Sequence, residues 1–229
     1  VILTVRGDAV GKKRNIMHKK SKGDIIVYMD DDDFYPPKRV LHAVNKLRSN
    51  PNVLASGSSI VYIYFNDIDK IYQFGPYGPM HATAGTFAFR RKLLEETSYD
   101  DNAEIAEEKH FLKNYTVPLV QLDPMKAILV FAHQYNTFDK RRLLINPHPN
   151  FVRETKLKPK LFIRDKEMRD FYTTVWIKYN ILKYYMLGWV KTLTKKFDKL
   201  PALGQFAVAV LIIIVVRYLL HLIIYSNYL

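Results

Sequence analysis

Four consecutive aspartates, Asp30 to Asp33, follow directly on the apolar run Asp24-Ile-Ile-Val-Tyr-Met29. The run is short, rich in β-branched residues and bounded by Gly23 and the aspartates, a pattern that predicts a buried, parallel strand. Pro36 and Pro37 then open a predicted helix in which Val40, Leu41, Val44 and Leu47 form one apolar stripe. Strand, acidic turn and helix make half of a βαβ unit. Open α/β sheets bind ligands beyond the carboxyl ends of their strands, where this turn stands. Adjacent carboxylates repel, so several ionised in one place require a cation or full solvent. A hard divalent cation, held by one or two carboxylates and by substrate phosphates, meets that requirement. The competing reading is a solvated acidic turn that caps the helix.

Further along, Val53 to Phe65, Lys70 to Phe74, Thr86 to Phe89, Pro118 to Leu122 and Ala127 to Ala132 read as strands, alternating with helical segments. This predicts an α/β domain over residues 1–145. A proline-bearing polar linker is expected over 146–161, and a basic, aromatic helical region over 162–200. The chain opens on Val1-Ile-Leu-Thr-Val5, already strand-like, so the domain is expected to be N-terminally incomplete. There is no cysteine, which excludes disulfides and thiolate–metal sites and leaves any metal to carboxylates and His. The net charge of +13 makes nucleic acid, anionic lipid and nucleotide phosphates candidate partners without ranking them.

The segment Met29 to Val40 resembles the Asp-x-Asp region of GT-A fold glycosyltransferases, close to glycosyltransferase family 2. The resemblance implies a Rossmann-like nucleotide-sugar-binding domain and a nucleotide-diphosphate sugar as donor. It implies Mn²⁺ or Mg²⁺ as cofactor, and a glycan, lipid or protein as acceptor. Spacing to the prolines matches Asp31 to the nucleotide contact and Asp32 to the metal ligand. Four aspartates in a row leave the register open, so Asp30 stays a further nucleotide candidate and Asp33 a further metal candidate. Gly11-Lys-Lys-Arg-Asn15 is similar to the family's Gly-x-x-x-Arg-Asn stretch, which places Lys13 and Arg14 near the diphosphate. Ala106-Glu-Glu108 resembles the acidic pair that supplies the catalytic base of inverting enzymes, with Glu108 as base and Glu107 as the alternative. The small-residue stretch around Gly85 resembles part of the acceptor or donor-sugar wall. His133 is a candidate third metal ligand, and Lys140, Arg141 and Arg142 are candidate diphosphate contacts. The order of these motifs is similar to that in glycosyltransferases of large DNA viruses and algae.

Phe206 to Tyr225 spans 20 positions, of which 14 are Phe, Val, Leu or Ile. About 20 apolar residues cross a bilayer core. Their insertion free energy sums to about −6 kcal/mol against about +3 kcal/mol for Arg217, which predicts a transmembrane helix. Lys191, Lys195, Lys196 and Lys199 flank its N-terminal side, so the expected arrangement is a single-pass C-terminal anchor with a cytoplasmic catalytic domain. The leading expectation is an inverting, metal-dependent, membrane-anchored glycosyltransferase. The alternatives are a nucleotidyltransferase or other phosphoryl-transfer enzyme, and a catalytically degenerate nucleotide-binding module at the membrane. A nucleic-acid-binding module has no need of the acidic cluster, and no nucleic-acid partner is expected.

Overall fold

The structure is a computed structural model that describes residues 8–132, 136 and 138–175. Residues 1–133 and 138–165 form one compact unit; residues 134–137 and 166–229 belong to a second. Within the second unit, Lys166–Asp170 form a short α-helix, continued through Val175 in a wider π-helical turn. No helix among the described residues is long and apolar enough to cross a membrane, and the expected span 206–225 lies outside them.

The first unit holds two mixed four-stranded sheets. One has the order β1 (Ile25–Val27), β5 (Ala88–Arg90), β2 (Ala55–Gly57), β6 (Leu119–Gln121). Here β5 runs antiparallel to both of its neighbours, and β2 and β6 are parallel. The other has the order β7 (Leu129–Ala132), β3 (Val61–Phe65), β4 (Lys70–Phe74), β8 (Val152–Glu154). In it β3 and β4 form a hairpin, with Val61 opposite Phe74 and Phe65 opposite Lys70. The mixed α/β arrangement is consistent with the expected GT-A domain.

Three apolar clusters hold these layers. Tyr28, Phe87, Phe89, Leu93, Tyr99, Phe111 and Leu112 pack behind the first sheet, with the rings of Tyr99 and Phe111 stacked at 4.5 Å. Val61, Ile63, Phe65, Phe74, Ile128 and Val130 fill the second sheet. Ala43 and Leu47 of α2 (Arg39–Arg48) press on Ala88, Leu122 and Ala127. Helix α1 (Val10–Lys20) is different, because its buried residues are Gly11, Arg14 and His18. They follow a helical spacing without being apolar.

Three expectations are corrected. Strand β1 pairs antiparallel with β5, not parallel, and its three residues are half-buried at the sheet edge rather than buried; an apolar run carries no signal for strand direction. On α2, Val40 and Leu41 are exposed, and the inward face is Arg39, Ala43 and Leu47. Packing of Arg39 against backbone carbonyls turns the helix by one residue, about 100°, from the apolar stripe. The expected linker 146–161 contains β8 paired to β4, and Phe162 and Ile163 just beyond it are buried. The compact unit therefore runs to residue 165.

Candidate active site

The acidic turn leaves the carboxyl end of β1 and is fixed at both ends. Phe34 and Leu129 exchange backbone hydrogen bonds of 3.0 and 2.9 Å, which stitches the turn to β7. The Phe131 N–H donates to Asp33 Oδ1 at 3.0 Å. Burial, with the charge of Asp32, pushes the Asp33 carboxyl up to about 8, against the opposing pull of Lys140. At the other end, the Tyr35 hydroxyl accepts from Asp30 N–H at 2.8 Å and donates to the Gly85 carbonyl at 3.1 Å. A Cβ on Gly85 would stand 2.9 Å from Asp30 Oδ2, so a side chain there would push that carboxylate aside. Below the turn, the buried Arg39 donates through Nη2 to the carbonyls of Thr86 and Phe87 at 2.7 and 2.8 Å.

The second acidic pair stands at the start of α3 (Glu108–Phe111). Its approach and exit are left-handed: Ala106 has φ 54°, and Lys113, Asn114 and Tyr115 have φ 49°, 56° and 61°. Each non-glycine residue in that region costs about 1–2 kcal/mol, and such strain collects at functional sites.

Helix α1 holds this approach segment. The Gly11 N–H donates to the Ala103 carbonyl at 3.0 Å, and a Cβ on Gly11 would meet the Asp100 carbonyl oxygen at 1.9 Å. The Asn15 side chain donates to the Tyr99 carbonyl at 2.8 Å and accepts from the Tyr99 N–H at 3.0 Å. Arg14 joins the two acidic motifs, with its guanidinium 2.9 Å from Glu107 Oε1 and 3.8 Å from Asp30 Oδ1. It also lies over the Tyr28 ring at 4.6 Å. Burial disfavours the Arg14 charge, but Tyr99, Asp30 and Glu107 outweigh it and raise its pKa.

These elements enclose a cleft of about 370 Å³. Asp30, Asp32, Asp33, Glu107 and Glu108 line it together with Arg14, Lys140 and Gly85. The cleft thus brings the acidic turn and the second acidic pair together, although their sequence positions are far apart. Asp31 is exposed and Lys13 half-buried, and neither lines the cleft. His133 lies outside the described residues. Arg141 pairs with Asp139 at 2.8 Å and is exposed, away from the lining. Two wider depressions, of about 600 and 700 Å³, lie beside α3 and α1, but neither contains any of Asp30 to Asp33.

Burial raises the Glu108 carboxyl pKa, and the neighbouring Glu107 charge adds to it. Burial likewise raises that of Asp30, against the pull of Arg14. Tyr35 and Arg39, which shape the turn, have no signal in hydrophobic periodicity; an Arg beside an apolar stripe reads as solvent-facing. Asn15 was legible as a member of its motif but not as a clamp.

The cleft carries five carboxyl groups; with Asp33 held toward its neutral form by burial, the other four face two cations, Arg14 and Lys140. A divalent cation fits that excess, since an anionic diphosphate would otherwise meet repulsion there. Among the described residues no group of three His, Asp or Glu stands ready to hold a metal unaided. If such a cation bound, Asp32 and Asp30 would be the cleft carboxylates left to meet it, with phosphate oxygens completing its sphere.

A search of the curated proteins found no match. Residues 1–98 match the family described as Glycosyl transferase family 2, a stretch that includes α1, the acidic turn and Gly85 but stops short of Glu107 and Glu108. Over those residues the chain is glycosyltransferase family 2-like, and the similarity supports a glycosyltransferase function.

Proposed function

We propose that this chain is an inverting, divalent-metal-dependent glycosyltransferase that uses a nucleotide-diphosphate sugar. The observation that carries the proposal is the single cleft in which Asp30 and Asp32 face Glu107 and Glu108, with Arg14 between the two sets. In this reading Asp32 holds the cation and Asp31, at the exposed edge of the turn, meets the nucleotide. Lys140 adds positive charge for the diphosphate. When bound, the cation supplies Lewis-acid stabilisation of the leaving diphosphate.

Glu107 is committed to Arg14, so Glu108, which has no ion pair among the described residues, is the member of the pair left for proton transfer. A carboxylate with a raised pKa in a partly dry cleft suits a general base. Glu108 takes the proton of the acceptor hydroxyl while its oxygen attacks the anomeric carbon. The bond from that carbon to the diphosphate oxygen breaks, and a nucleoside diphosphate leaves. Attack on the face opposite the leaving group inverts the anomeric centre. Membrane attachment through residues 206–225, with the catalytic unit on the cytoplasmic side, belongs to the same proposal and rests on the sequence.

Titration calorimetry with a panel of nucleotide-diphosphate sugars, with and without Mn²⁺, tests the donor half. Binding is expected only with metal, and Asp32→Ala is expected to weaken it at least about tenfold, the effect of losing one charge-assisted contact. Absence of binding at millimolar donor, or binding indifferent to both metal and Asp32, would contradict the proposal.

A further inference from the structure

Beside the cleft runs a row of aromatic rings that the donor chemistry does not use. Tyr77 lines the cleft itself and is 41% exposed, so it is available to a ligand. Its ring lies 4.7 Å from that of His81, and His81 stacks on Tyr115 at 4.7 Å. Tyr77 also meets Phe151 at 5.2 Å, tilted. The row is built into the fold. Gln121 donates to the carbonyls of Pro79 and His81 at 2.8 and 2.9 Å, which fixes the loop that carries His81. Tyr115 is the last of the three consecutive left-handed residues, so its position is held against a backbone cost. It sits close enough to Glu108 and Glu107 for their charges, after burial, to raise its hydroxyl pKa. Burial holds His81 toward its neutral form. The row therefore presents apolar ring faces with hydroxyl rims and no formal charge.

A phosphate-bearing acceptor needs cations, and this row has none. An apolar tail needs a deep groove, which a row of half-exposed rings with polar rims does not make. A sugar ring matches it: one face carries axial C–H groups that lie on the negative face of an aromatic ring, while the rim hydroxyls meet polar groups at the edge.

We infer that the Tyr77–His81–Tyr115 row is the acceptor platform and that the acceptor is itself a carbohydrate, whose terminal ring stacks on Tyr77 beside Glu108. The inference rests on the transferase reading for the role of Glu108, but not for the stacking. The product is then a glycan longer by one sugar, and the acceptor must come from an earlier glycosyl transfer.

Saturation-transfer NMR on the full chain, with a panel of soluble disaccharides (maltose, cellobiose, lactose and N,N′-diacetylchitobiose), tests it without requiring turnover. At least one disaccharide is expected to receive saturation, strongest at its axial C–H protons. Tyr77→Ala is expected to weaken that binding about tenfold, and Tyr77→Phe to retain it. Donor affinity, measured in parallel, is expected to be unchanged in both variants. No saturation for any disaccharide, or saturation that Tyr77→Ala leaves intact, overturns the inference; so does saturation of a polyprenyl phosphate in micelles that Tyr77→Ala abolishes while the disaccharides stay silent. Disaccharide binding without any donor binding would sink the transferase reading and leave the platform standing. Donor binding without disaccharide binding would do the reverse.

Discussion

His18 shows how a polar residue is made to serve as core. Its ring lies among Tyr28, Phe89, Tyr99 and Phe111, and it hydrogen-bonds the Tyr28 hydroxyl. Burial, then the charges of Arg14 and Arg91, lower its pKa from 6.5 to about 4. In the unfolded chain the imidazole protonates as pH falls below about 6.5, while the native one stays neutral until about 4. The native state therefore loses stability through that window as the pH drops. Urea midpoints of wild type and His18→Gln are expected to converge as the pH falls from 7 to 4, because the variant lacks this proton uptake. Curves that stay parallel would show that His18 is not held neutral. Arg14 belongs to the same buried set. The family resemblance places it near the diphosphate; in the structure its guanidinium is engaged by Glu107 and Asp30. A sequence shows that a cation is present but not which of several carboxylates reaches it first.

Helix α1 acts as a clamp on the segment that carries the candidate base. Gly11, Arg14 and Asn15 meet Ala103, Glu107 and Tyr99 in turn. Gly11→Ala separates this role from helix propensity. Alanine is favoured over glycine inside a helix by about 1 kcal/mol. Here its Cβ would meet backbone, the Asp100 carbonyl, which has no flexible end to move aside. Overpacking of this kind costs about 1–3 kcal/mol, so a net destabilisation is expected in urea unfolding, and a stabilised variant would refute the clamp. The element is also where legibility was lowest. The strands that became β3 and β4 and the strand before the aspartates were readable, because β-rich and apolar runs leave local marks. Helix α1 left none, since its inward face is glycine, arginine and histidine. The inward turn of α2 was hidden for the same reason, with Arg39 buried where Val40 was expected. Strand β8 reads as linker because its own charges and the prolines on either side of it mask a three-residue pairing to β4.

In the molecule as a whole, two sheets and two acidic motifs converge on one cleft, and the family match covers only the donor-side motif. The meeting of the two motifs was not readable from the sequence, because it depends on Arg14, on the β7 bridge at Phe34 and on the strained approach at Ala106. Aspartate runs and Glu pairs are common separately. Their placement around one buried arginine is what gives the cleft, in the proposed reading, a donor side and a base side. The cleft gathers five of the 22 acidic residues of a protein whose net charge is +13. The most direct test of this account is sugar transfer by Glu108→Gln, measured beside its donor affinity in the presence of Mn²⁺. The account predicts unchanged donor binding and a fall in turnover of about 10²–10⁴-fold, the contribution of a general base. Turnover within a few-fold of wild type would contradict it and remove Glu108 from the chemistry.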